Sequence, residues 1–222
     1  MGIGPFLRTA IHKVTTALRL RQLLAKNRFF IRLYFNMKFA KKDPYDCDTS
    51  EYERLKRERT LAVLRSVGRF GSAIDVGCGD GALTKELAAM ADTVLGADIS
   101  DLAVKQAKEK MAELPNVNVI RFDIFENDPP GTYDLVVCSE ILYYLERDAL
   151  PAVADRLVKS LNPGGYLTLI HARAKGDDTA GVELKKFGAK TIHEMFIADH
   201  RLTVVQDDVQ PMYRVTMSRR NG

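Results

Sequence analysis

An apolar run, Ala73-Ile74-Asp75-Val76, breaks into Gly77-Cys78-Gly79-Asp80-Gly81, and the helical pattern Ala82-Leu83-Thr84-Lys85-Glu86-Leu87 begins at once. Glycine is needed where the backbone takes a conformation closed to other residues, or where a ligand must touch the main chain. Three glycines at alternate positions between a strand and a helix predict the floor of a nucleotide-type pocket, at the carboxyl end of a strand. Such a unit commits the chain to an α/β sheet with strands and helices in alternation. The spacing Gly77-x-Gly79-x-x-Ala82, with Asp98 following, fits the dinucleotide fingerprint, so a nicotinamide cofactor is one reading of the loop.

The 222 residues hold one domain of ordinary size and an extension. Charge marks the division. Residues 1–42 carry ten Lys or Arg and no acid, whereas the remainder carries 23 basic against 29 acidic residues. A cationic arm, 1–42, precedes an acidic body, 43–222. The asymmetry predicts an anionic partner, either membrane lipid, nucleic acid or an acidic protein; the plainer alternative is a solvated helix that caps the domain. Leu7, Ile11, Val14 and Leu18 share one helical face of the arm, with Arg8, Lys13, Arg19 and Arg21 around them. Arginines interrupt every apolar core that a secretory signal needs, while a transit peptide and an interfacial helix both fit. Cys47, Cys78 and Cys138 have neither disulfide-framework nor zinc spacing, which predicts a reducing, cytoplasmic setting and no metal. No run reaches the length of a membrane span.

Thr49 or Ser50 caps a predicted helix from Glu51 to Val67, with Leu55, Leu61, Val63, Leu64 and Val67 buried and Gly68 as its stop. Tyr52, Lys56 and Arg59 form a stripe on it. The stripe is either a solvated face or a surface over the cofactor, with Tyr52 or Arg59 meeting a carboxylate there. A second strand, Thr93–Ala97, ends at Asp98, whose carboxylate can accept hydrogen bonds from both ribose hydroxyls or can cap the helix Asp101–Leu114. The third strand, Val117–Phe122, ends at Asp123-Ile124, and the fourth, Tyr133–Cys138, at Ser139-Glu140. The latter lies beside the glycine loop where strand order reverses, and so should line a reaction site. A helix from Asp148 to Leu161 is stopped by the turn Asn162-Pro163-Gly164-Gly165, and the fifth strand, Tyr166–His171, ends at His171. A histidine there can serve as a general base or as a structural group. Residues 174–190 read as a lid, 191–199 as a short helix, and Leu202–Gln206 and Met212–Met217 as two closing strands.

Asp75-Val76-Gly77-Cys78-Gly79-Asp80-Gly81 matches the first motif of class I S-adenosylmethionine (SAM) methyltransferases: an acid, one residue, then Gly-x-Gly-x-Gly. Asp98, Asp123, Ser139-Glu140 and Asn162-Pro163-Gly164-Gly165 stand where that family has its later strand-end signals. The resemblance covers residues 43–217 and implies a Rossmann-like, doubly wound, seven-stranded sheet with SAM as cofactor and a small-molecule acceptor. It places Asp75, Gly77 and Gly79 at the loop, Asp98 on the ribose, Asp123 on the adenine amino group, Ile99 and Ile124 against the ring, and Ser139 beside the reaction site. A narrower likeness, to the NodS-like family, rests on Asp43-Pro44-Tyr45 with Thr49-Ser50-Glu51-Tyr52-Glu53, on Ser139-Glu140-Ile141-Leu142-Tyr143-Tyr144-Leu145, and on Leu169-Ile170-His171-Ala172-Arg173. Nodulation members of that family N-methylate the free amine of deacetylated chitooligosaccharides, which implies an amine acceptor deprotonated by His171 or Glu140. The loop follows the general class pattern more than the NodS variant, and the basic arm is not part of the NodS-like pattern. An O-methyltransferase or lipid methyltransferase carried to membranes by the arm is the alternative; a nucleic-acid acceptor is not favoured. A membrane-attached regulator with a decayed catalytic body is a third reading, against which Asp75, Gly77, Gly79, Asp98 and Asp123 stand intact. A dehydrogenase would need a second catalytic domain for which this length has no room.

Overall fold

The computed structural model describes residues 27–41, 43–46, 49–173 and 187–222. The amphipathic pattern of residues 1–26, Cys47, and the expected lid as far as residue 186 lie outside them. Among the described residues two helices come first, α1 (Arg28–Phe39) and α2 (Glu51–Arg65). Asn27 and Ser50 cap them, each side chain accepting from a backbone N–H that the first helical turn leaves without a partner. Then follow β1 (Phe70–Val76), α3 (Ala82–Leu87), β2 (Ala91–Asp98), α4 (Asp101–Lys110), β3 (Val117–Arg121), β4 (Tyr133–Ser139), a 3-10 turn at Leu142–Tyr144, α5 (Leu150–Lys159), β5 (Leu161–Ala172), α6 (Ala189–Ile197), β6 (Leu202–Val209) and β7 (Tyr213–Arg220).

The seven strands form one sheet in the order β3-β2-β1-β4-β5-β7-β6. The first five run parallel, and β7 enters antiparallel between β5 and β6. Side chains alternate across a strand, so successive residues of the central strands feed opposite cores. Ile74, Val76, Val136 and Cys138 pack with Leu157 and Phe196. Ala73, Leu135 and Val137 pack with Leu61, Leu64 and Leu87. Leu64, Leu135 and Leu157 are fully buried, each worth about 2 kcal/mol of transfer free energy. Strand order reverses between β1 and β4, which is where an open α/β sheet forms a crevice at its carboxyl edge.

Three local expectations are corrected. Leu55, expected inside, is exposed, while its neighbour Lys56 is buried, because carboxylates on both sides draw the ammonium in. The helices expected to run to Val67, Leu114 and Leu161 end earlier, at Arg65, Lys110 and Lys159. Asn162-Pro163-Gly164-Gly165 is a bulge inside β5 instead of a turn before it. Leu161 pairs with Tyr133 and Tyr166 with Leu135, so the extra residues loop out of the ladder, with Gly164 at φ 77° and its carbonyl accepting from Arg219.

Candidate active site

The parallel strands deliver Asp98, Asp123 and Ser139-Glu140 to one edge, around a cavity of about 390 Å³. That volume lies in the range of small-molecule and cofactor sites. Asp123 follows β3 and Glu140 follows β4, three strand spacings away, or about 14 Å along the edge. Asp75, Gly77, Gly79 and Asp98 line the middle. Ile99, Ile124, Ser139 and Tyr52 complete the group, so ten of the twelve residues expected at a site surround one cavity.

The loop is built for close approach. Gly77 has φ 80°, and a Cβ there would lie 2.3 Å from Ile141 Cγ2. Gly79 has φ 56° and would touch the Phe39 ring. Asp75 ties the loop to the helix behind it by accepting from Thr84 Oγ1 at 2.7 Å. Asp98 accepts from the backbone N–H of Gly79 at 3.0 Å and of Ser100 at 2.8 Å. Burial pushes the carboxyls of Asp75 and Asp98 up to about 6. The hydroxyl of Thr84 limits the rise in Asp75, and the two backbone donors limit it in Asp98.

At the β3 end, Arg28 of α1 forks the Asp123 carboxylate, Nε to Oδ2 at 2.7 Å and Nη2 to Oδ1 at 2.6 Å. Its guanidinium lies 3.8 Å over the Phe125 ring. Ile31, Phe35 and Phe39 continue the same helical stripe along the cavity. At the β4 end, Glu140 sits at φ 59°, a sparsely populated conformation for a non-glycine residue that marks functional sites. Lys56 Nζ donates to its Oε1 at 2.8 Å, the Tyr143 hydroxyl and the Ala172 N–H donate to Oε2, and Lys56 also donates to Glu53. Burial alone would raise the Glu140 carboxyl; Lys56, His171 and Tyr143 overcome it and hold it down at about 2. Glu140 is therefore a fixed anion and a poor proton acceptor near neutral pH.

The two remaining residues are placed elsewhere. Arg59 does not line the cavity and pairs with Asp208 instead. Arg57, two positions away, does line the cavity. His171 is completely buried and does not line the cavity, which removes it as a base that touches an acceptor. Its Nδ1 lies 3.1 Å from His193 Nε2, and Tyr143 stands against its ring. The helical pattern of Glu51–Arg65 carried a signal for Lys56, four residues after Tyr52, but not for the distant carboxylate that buries it. Arg28 gave no signal beyond being one cation among ten.

Residues 32–209 match the family described as Nodulation protein S (NodS). Among curated relatives, nodulation protein S of Sinorhizobium fredii is 30% identical over 129 residues, 58% of this chain and 60% of that protein. The protein of the same name from Azorhizobium caulinodans is 28% identical over 168 residues, 74% of this chain and 77% of that one. The chain spans about six tenths of the length of the first three curated relatives it matches. The crystal structure of N-methyltransferase NodS from Bradyrhizobium japonicum WM9 in complex with S-adenosyl-L-homocysteine superposes with a TM-score of 0.78 at 25% identity, covering 86% of this chain and 98% of that one. A second crystal structure of that N-methyltransferase gives a TM-score of 0.70. The matched span runs from the cavity-facing helix α1 to the edge strand β6, and by it this chain belongs to the nodulation protein S family.

Proposed function

We propose that the chain is a SAM-dependent methyltransferase that methylates the nitrogen of a small amino-sugar acceptor. The observation that carries the reading is that one cavity has nucleoside-type carboxylates along one part of its edge and an ionised carboxylate, Glu140, at the other. The donor set suits the cofactor. Asp98 offers acceptor oxygens for two ribose hydroxyls, and Asp123 offers one for an exocyclic amine. Gly77 and Gly79 leave the main chain bare where any side chain would intrude. Ile99 and Ile124 give apolar walls for a ring. Family membership supports the same cofactor, since the NodS N-methyltransferase of similar fold binds its demethylated product. When bound, SAM supplies an electrophilic methyl group on a sulfonium.

This chain's residues then have three tasks: to hold the cofactor, to orient the acceptor and to exclude water. Glu140, pinned by Lys56, Tyr143 and the Ala172 N–H, holds an amine or ammonium by charge. An ammonium sheds its proton to solvent before the transfer; the ionised carboxylate then accepts from an N–H of the neutral amine and turns its lone pair to the methyl, so that the N–C bond forms as the S–C bond breaks and the positive charge passes from sulfur to nitrogen. Tyr52, Phe35 and Tyr144 supply flat apolar faces for the rest of the acceptor. The test is transfer of label from SAM to amino-sugar oligomers with a free amine, against fully N-acetylated oligomers. Label in the free-amine set alone supports N-methylation. Label in both sets would point to a hydroxyl acceptor, and label in neither, with SAM bound, would remove the sugar.

A further inference from the structure

We infer that the outward face of α1 is a docking surface for an anionic lipid bilayer. The helix is apolar on two opposite sides. Arg28, Ile31, Phe35 and Phe39 follow one stripe and line the cavity. Phe29, Leu33 and Met37, at helical spacing, follow the other stripe with Phe30 beside them, and these are 59%, 45%, 68% and 39% exposed. A surface helix ordinarily buries one apolar stripe and turns a polar face to water. Here the second stripe faces out, on a helix of only 12 residues. Large apolar side chains clustered in this way mark an interaction site.

Charge selects the occupant. The segment that contains α1 carries ten cations and no acid over residues 1–42, on a body whose remaining residues are net acidic. A second copy of this chain would bring the same ten cations to the interface and be repelled. An anionic bilayer offers both a hydrocarbon boundary for Phe29, Leu33 and Met37 and a negative surface for Lys38, Lys41 and the cations of residues 1–26, whereas Arg28 and Arg32 are held by Asp123 and Asp101. Aromatic and aliphatic anchors on one side of a helix, with cations flanking, is the composition of an interfacial helix. The 26 residues before Asn27 continue that composition, with Leu7, Ile11, Val14 and Leu18 at helical spacing. Docking through this face sets the cavity, which the inner face of α1 lines, next to the lipid surface.

The test is flotation of the full chain with vesicles of phosphatidylglycerol in phosphatidylcholine, and with vesicles of phosphatidylcholine alone. The variant is Phe29→Ser/Leu33→Ser/Met37→Ser, which changes no cavity residue; an unchanged melting temperature verifies its fold. The expected result is binding to the anionic vesicles that falls at least about tenfold in the variant and on neutral vesicles, and weakens with salt. Equal binding by the variant would show that the arm alone attaches, and equal binding to neutral vesicles would remove the charge argument; each overturns the inference. So does a failure to float at all, or a dimer in light scattering that the variant abolishes. None of these readouts uses methyl transfer, so the proposal stands or falls apart from the assigned activity.

Discussion

Lys56 Nζ lies 2.8 Å from Glu140 Oε1, joining the middle of α2 to the end of β4 across the cavity wall. The ammonium is itself buried, and Glu140 overcomes the cost of that burial to keep it protonated. Removing one partner of a buried pair strands the other charge, at about 3 kcal/mol. Lys56→Met should therefore lower the melting temperature at pH 7 and cut acceptor turnover while SAM affinity holds. The sign with pH follows from the carboxyl. In the native chain its folded value, about 2, lies below the unfolded one, so its stabilisation is present above about 4.5 and is lost as pH falls toward 2. In Lys56→Met, burial loses its largest opponent and only His171 and Tyr143 still oppose it, so the carboxyl rises, the penalty is largest at pH 7 and it is relieved on acidification. Melting curves of both proteins from pH 8 to 4 should converge; a gap that widens toward pH 4 contradicts the pairing.

Arg28 holds the amino-terminal end of α1 down on Asp123 by a two-pronged ion pair. The same carboxylate is the one expected to receive the adenine amino group. Arg28→Ala should then loosen the helix over the cavity, and SAM should enter and leave at least about fivefold faster in stopped-flow fluorescence, a change of about 1 kcal/mol in the barrier. Unchanged exchange rates would mean that α1 does not gate that end.

In the proposed binding mode Asp98 accepts from two ribose hydroxyls as a carboxylate, and burial has brought its carboxyl up to about 6. SAM affinity should accordingly fall by about tenfold per pH unit below that value. Asp98→Asn should bind weakly at every pH, with the dependence between pH 5 and 7 flattened. Calorimetric titration across that interval checks both. Because the folded value is raised, the same group favours folding at low pH and opposes it above about 6, so the ligand-free protein gains stability from Asp98 on mild acidification.

The glycine loop, the strand-end acids and the order of elements were legible because each is local. Asp75 through Gly81 names its own turn, and Asp98 and Asp123 follow apolar runs directly. The closing antiparallel pair was also visible as two apolar runs. What was hidden depends on contacts far apart in the chain. Nothing near Lys56 announces Glu140, 84 positions away. Arg59 was expected at the cofactor because its spacing is right, but Asp208, on the edge strand β6, claims it. His171 ends a strand on the correct edge, yet its side chain falls on the core side, where α6 supplies a second histidine to meet it. The bulge at Gly164-Gly165 reads as a turn in sequence, and only pairing of β5 with both β4 and β7 absorbs it into a strand.

The histidine pair has its protons arranged from one end. Arg214 holds the Asp207 carboxyl below its usual range, so Asp207 is an acceptor. The Thr216 hydroxyl donates to Asp207 at 2.7 Å, which leaves its oxygen to accept from Nδ1–H of His193. Bare Nε2 of His193 then accepts from Nδ1–H of His171. Burial, with His171 and Arg214 nearby, pushes the His193 imidazole well below its usual value. A depressed folded value gives stability that is complete above about pH 6.5 and declines as pH falls. His171→Asn should cost about 1–3 kcal/mol in unfolding free energy by disturbing this chain. The pH profile of turnover should keep its shape; loss of an acid limb in that profile would return His171 to the proton-transfer step.

Gly77 cannot carry a side chain without displacing Ile141. An added Cβ would lie 2.3 Å from Ile141 Cγ2, and the φ of 80° costs about 1–2 kcal/mol for any L side chain. Both residues line the cavity, so the displacement is felt where a ligand binds. Gly77→Ala should weaken SAM binding at least about tenfold, from roughly 1.4 kcal/mol of lost interaction. The two causes separate in a double variant. Ile141→Ala removes the colliding methyl groups but leaves the backbone strain, so Gly77→Ala/Ile141→Ala should recover part of the affinity relative to Gly77→Ala alone. Full recovery would assign the whole effect to the collision, and no recovery would assign it to the turn's handedness. A double variant weaker than the sum of its parts would mean that Ile141 itself packs against the ligand, and that the cavity is narrower at the loop than its ligand-free shape implies.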